Sequence, residues 1–112
     1  MIYEMRTYRF APGNAQRYLQ VYQDMAYDLQ LKHQQRLVGF WQTDVGPLNR
    51  TVNIWAYESL EARNKAKAAL AGEEGWRRYL EKAQPLILEQ ESCMLKPADF
   101  FVPGPANGGR IG

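Results

Sequence analysis

Two aromatic strand segments, Leu37 to Thr43 and Thr51 to Tyr57, joined through the polar turn Gly46-Pro47-Leu48-Asn49, constrain this chain more than any other feature. Successive side chains of a strand point to opposite faces, so Asn53, Trp55 and Tyr57 share one face and Val52, Ile54 and Ala56 the other. The two faces must therefore meet different surroundings. The aliphatic face suits helices of the same chain, and the aromatic, hydrogen-bonding face suits a partner subunit or a ligand.

Ile2 to Phe10 alternates in the same way, is rich in β-branched and aromatic residues, and is stopped by Pro12-Gly13. Asn14 is then placed to cap a helix in which Ala15, Tyr18, Leu19, Tyr22, Met25, Ala26 and Leu29 recur at helical spacing, and Lys32 and His33 end it where the helix dipole favours cations. After the aromatic pair, Ser59 is an N-cap for a helix with Ala62, Ala66, Ala69 and Leu70 on one side. Gly72 and Gly75 interrupt it, and Trp76, Tyr79, Leu80 and Ala83 form a second short stripe ended by Pro85. Leu86 to Leu95 is the last strand, its polar Glu89-Gln90-Glu91 centre suited to a sheet edge.

The order β-α-β-β-α(α)-β predicts an α+β, ferredoxin-like antiparallel sheet with helices on one face. With 112 residues, 46% of them hydrophobic, the chain fits a single domain over residues 1–102, followed by a flexible Gly/Pro-rich tail over 103–112. If Met5, Thr7, Val52, Ile54 and Ala56 meet the helices, Glu4, Arg6, Tyr8, Asn53, Trp55 and Tyr57 project from the other face. Charged and aromatic groups there call for a cover, which a two-fold homodimer pairing sheet against sheet would supply.

The net charge of +2 comes from fourteen basic and twelve acidic residues. Arg63, Lys65, Lys67, Arg77, Arg78 and Lys82 lie among Glu61, Glu73, Glu74 and Glu81, which reads as solvated helix faces and not as a nucleic-acid surface. No signal-peptide core or membrane-length apolar run is visible, and the single Cys93 forms no disulfide within the chain. The expectation is a cytoplasmic protein bound to neither nucleic acid nor membrane.

Glu4-Met5-Arg6-Thr7-Tyr8, Pro12-Gly13, Val38-Gly39, Gly46-Pro47-Leu48-Asn49, Trp55-Ala56-Tyr57, Ser59-Leu60 and Leu95-Lys96-Pro97 occur in an order that resembles the NIPSNAP family, over about residues 3 to 100. The resemblance implies a dimeric α/β barrel. It assigns no activity: animal members carry a duplicated domain and act through protein partners, and small bacterial members are mostly without assigned function. The wider superfamily includes cofactor-independent monooxygenases and isomerases as well as haem-degrading enzymes.

Candidate chemistry is spread over six residues. Arg6 and Tyr8 lie two apart on one strand and so point the same way; Arg6 suits a carboxylate or enolate and Tyr8 a proton donor. The alternative is an ion-pair network of Glu4 and Arg6 closing the dimer. His33 is either a general base or a helix-ending cation, and Lys32-His33 matches a pattern that family members often carry. Trp41, Trp55 and Tyr57 either stack a planar ligand or form core and interface. Cys93 reads as a small buried hydrophobe, and one His with one Cys is too few for a metal site, so no cofactor or metal is expected. Three readings stay open: a homodimer holding a small organic ligand in a cleft, a cofactor-independent monooxygenase or isomerase, and a non-enzymatic interaction scaffold.

Overall fold

The structure is a computed structural model and describes residues 1–104. Four strands, β1 (Ile2–Phe10), β2 (Leu37–Gln42), β3 (Arg50–Tyr57) and β4 (Ile87–Leu95), form one antiparallel sheet in the order β2-β3-β1-β4. Helices α1 (Asn14–Met25), α2 (Tyr27–Gln34), α3 (Leu60–Ala71) and α4 (Glu74–Ala83) pack against one face, and a single 3-10 turn, Gln84–Leu86, leads into β4. This is the α+β, ferredoxin-like arrangement expected from the sequence. The tail expected over residues 103–112 lies, from residue 105 onward, outside the described residues.

The turn chemistry follows the backbone demands. Gly46 and Asn49 take positive φ of 114° and 61° between β2 and β3. Ser59 caps α3, its Oγ accepting from the Ala62 N–H at 3.1 Å. Asn14, by contrast, is the first residue of α1 and not its cap. Gly13, left-handed at φ 86°, holds that position without a side-chain hydrogen bond, because the chain must reverse sharply after Pro12.

The single helix expected over residues 14 to 33 is broken at Ala26, where φ falls to −119°. Its buried row nevertheless runs on at four-residue steps through Tyr18, Tyr22, Ala26, Gln30 and Gln34. The last two are amides where the hydrophobic pattern had placed Leu29. They are buried because they bond to each other and to two tyrosines. The Tyr22 hydroxyl donates to Gln30 Oε1, Gln30 Nε2 to Gln34 Oε1 at 3.0 Å, and Gln34 Nε2 to the Tyr57 hydroxyl at 2.5 Å.

The sheet faces are reversed from expectation. Glu4, Tyr8, Phe10, Thr51, Asn53, Trp55 and Tyr57 are buried beneath the helices, and Arg6 is half-buried with them. Met5, Thr7, Val52, Ile54 and Ala56 point the other way, onto the outer face. The physical reason lies in α3, whose Arg63 supplies the charge that Glu4 needs to be covered. The Glu4/Arg6 network closing a dimer is therefore replaced by a Glu4–Arg63 pair inside one chain.

Candidate functional site

The inner face is a grid set by strand register. Glu4 stands opposite Trp55, Arg6 opposite Asn53 and Tyr8 opposite Thr51, while on the other side Arg6 stands opposite Ser92. Trp55 is fully buried, with its indole N–H donating to Asn53 Oδ1 at 2.8 Å, and packs with Leu37 and Tyr57. It forms core and not a wall against which a ligand could stack.

Around Glu4 the charges are close and well directed. Arg63 donates from Nε at 3.2 Å to one carboxylate oxygen and from Nη2 at 2.9 Å to the other, which also accepts from the Ser92 hydroxyl. Burial alone would raise the Glu4 pKa, but these hydrogen bonds, with the charges of Lys67 and Arg6 nearby, hold it down at about 2. A carboxyl whose folded pKa lies below its unfolded value of about 4.5 adds stability above that value and loses it as pH falls toward 2. Denaturation followed from about pH 5 to pH 2 should thus show a loss that Glu4→Gln flattens; parallel curves for the two proteins would refute the assignment.

Arg6 lies beside this pair without joining it. Its Nε is buried with no hydrogen-bond partner among the described residues, and its guanidinium carbon sits 5.3 Å from the centre of the Tyr8 ring. Thr51 Oγ1, on the strand opposite Tyr8, is likewise buried and unpartnered. Burial raises the Tyr8 pKa above its ordinary value of 10.0, so the phenol is still harder to ionise than an exposed tyrosine. Tyr57 is pushed up to about 12, chiefly by burial and by the charge of Glu4.

The six residues singled out in the sequence do not form one cleft. Arg6, Tyr8, Trp55 and Tyr57 share the inner face. His33 lies at the end of α2, with Nε2 2.8 Å from Glu73 Oε2, and lines a groove of about 230 Å³ with Gln34, Tyr57, Ala62 and Ala66. Trp41 is on the outer face, half exposed, its ring lying back over Gly39, where an added Cβ would fall 2.2 Å from the indole. A cleft of about 380 Å³ between Leu19, Tyr22, Tyr27 and Phe40 holds none of the six. Cys93, expected to be buried, is exposed, because it stands opposite Met5 on the outer face of the edge strand β4, away from the helices.

The NIPSNAP family model matches residues 3–101. The chain belongs to the NIPSNAP family. Protein NipSnap of Drosophila melanogaster is 30% identical over 88% of this chain, which spans only 36% of that protein's length. A NIPSNAP family protein of unknown function from Agrobacterium tumefaciens is 39% identical, with a TM-score of 0.85 over 90% of this chain and 91% of its own. An antibiotic biosynthesis monooxygenase superposes with a TM-score of 0.61 over 88% of this chain and 99% of its own, but at 9% identity it shares the fold alone.

In this NIPSNAP domain the functional candidates that sequence reasoning passed over are Arg63 and Lys67. Both were read as part of a solvated charged face. They stand four apart on α3, one turn from each other and in line with Ala66 and the buried Leu70. That spacing was the available signal: two cations share the stripe whose small alanines bring α3 close to the sheet. Lys67 is half-buried, and its pKa falls to about 8 through burial and the nearby Arg6 and Arg63 charges, partly opposed by Glu4.

Proposed function

We propose that this NIPSNAP domain is a homodimer that holds a small organic molecule on the inner face of each sheet, against Arg6 and Tyr8. The observation that carries the ligand site is the Arg6 guanidinium, fixed on a central strand under the helices with a buried Nε–H that no group among the described residues accepts. A buried polar group left unpaired is costly unless something from outside completes it.

Dimerisation rests on the outer face. Tyr3, Met5, Thr7, Val52, Ile54 and the exposed Trp41 form a largely apolar sheet surface that no described helix covers, with Ala56 buried at its end near Phe101 and Val102. Such a surface favours association, and a two-fold axis would make it self-complementary. Light scattering at micromolar concentration should give twice the chain mass for the native protein and the chain mass for Ile54→Glu. A monomeric native protein would remove this half of the proposal. No described helix is long and apolar enough to cross a membrane.

A second reading, that the domain is a cofactor-independent isomerase or oxygenase acting on an enolisable substrate, is favoured by one pairing: a cation beside a buried phenol. Arg6 would stabilise an enolate and Tyr8 would return a proton to it. Native mass spectrometry of the protein as purified, followed by denaturation of the same sample, tests whether a small molecule is held. A dimer releasing a defined compound supports the ligand site. A dimer carrying nothing, even after incubation with candidate ligands, turns the argument toward a scaffold that recruits partner proteins.

A further inference from the structure

We infer, on the reading that the inner face binds a small organic ligand, that this ligand is an anion, and that Lys67 joins Arg6 in holding its carboxylate or enolate oxygens. The charge balance of the inner face supports this. Glu4 is neutralised by Arg63, whose Nη1 is also committed, to Asn64 at 3.0 Å. That leaves Arg6 and Lys67 as two cations with no ion-pair partner among the described residues, and each lies within electrostatic reach of the other. Half-buried like charges repel and are incompletely solvated, so an anion between them lowers the free energy of both.

The approach is open on one side. The helices cover β1 and β3, while Gln90, Ser92 and Met94, which share the inner side of β4, are exposed. A ligand entering along β4 would meet Ser92 and then Arg6, whose guanidinium lies over the buried Tyr8 ring. A carboxylate accepts two parallel N–H bonds from a guanidinium.

The groups facing Lys67 are Glu4 and Arg6 on β1 and Arg63 on its own helix. Gln90, Ser92 and Met94, on the inner side of β4, carry no charge. Lys67 is therefore the member of the cluster that changes charge just above neutral pH. Its depressed pKa means that the unfolded chain binds more protons between about pH 8 and 10.5, so stability without ligand rises through that range as the cost of burying its charge, and with it the repulsion from Arg6, is lost. Anion affinity must move the opposite way, falling as Lys67 loses its charge.

Benzoate and benzyl alcohol separate charge from shape, and their binding is read by calorimetry at about pH 7 and about pH 9.5. Benzoate should bind, benzyl alcohol should bind at least about tenfold more weakly, and benzoate affinity should fall about tenfold at the higher pH. Lys67→Met should give the lower affinity at both pH values. Arg6→Gln should abolish binding without unfolding the protein, because the Arg6 side chain donates no hydrogen bond to another described residue; Arg6→Lys should restore part of it. Equal binding of the two compounds would overturn the anion assignment while leaving an organic-ligand site standing. Benzoate binding unchanged in Arg6→Gln would overturn the assignment of the site, and binding of neither compound would overturn both.

Discussion

Arg63→Met is expected to destabilise the protein by about 3 kcal/mol, more than any other single change on the surface of α3. The Glu4 side chain is wholly excluded from solvent, and Arg63 provides two of the three hydrogen bonds to its carboxylate. Taking the guanidinium away leaves a buried charge with Ser92 alone. Lys67 and Arg6 soften the loss through space, which places the cost at the lower end for a broken buried pair. Glu4→Gln in the same background should recover part of the stability, because a neutral amide needs no counter-charge. Denaturant unfolding of the two single variants and the double variant gives the coupling directly. A loss below about 1 kcal/mol for Arg63→Met, or simple addition in the double variant, would mean that the pair behaves as an exposed salt bridge.

Trp55→Ala is expected to cost about 4 kcal/mol and to be the most damaging substitution in the sheet. Its ring is fully buried on a central strand, between Leu37 and Tyr57, with Ile2, Leu31, Phe40 and Ala66 packed around that cluster. No neighbour is free to collapse into the space, because β3 is pinned on both sides by its register with β1 and β2. Trp55→Phe should cost roughly half as much, combining a smaller void with the loss of the donor that now satisfies Asn53 Oδ1. Adding Asn53→Leu to Trp55→Phe should then return some stability. If Trp55→Ala unfolded at nearly the denaturant concentration of the native protein, the ring would have to be a ligand surface after all.

These expectations differ from what the sequence suggests for the same residues, and the difference has a definite origin. Alternation along Ile2–Phe10 and Thr51–Tyr57 assigns residues to two faces with certainty, because strand geometry allows nothing else. It does not say which face the helices cover. Hydrophobicity argued for the side with Val52, Ile54 and Ala56, and that inference fails when a polar side brings its own partners. Here those partners are remote in sequence: Arg63 for Glu4, and Gln34 for Tyr57. Strands, turns and the Ser59 cap depend on neighbours a few residues away and were readable. The site depends on pairings across 59 and 23 residues and was not. Arg6 and Tyr8 could still be paired correctly from spacing alone, since two residues on one strand share a direction wherever the sheet is packed.

The chain of side chains from Tyr22 through Gln30 and Gln34 to Tyr57 has a consequence for how this domain can drift in sequence. Each member gives one donor to the next member's acceptor, across α1, α2 and β3. Replacing any one with an apolar residue strands its neighbour in the interior, whereas replacing all four together with side chains of similar volume removes the polar demand altogether. The four positions are therefore inherited as a unit: descendants of this chain should keep the whole relay or lose all of it, and intermediates with half a relay should be the unstable ones.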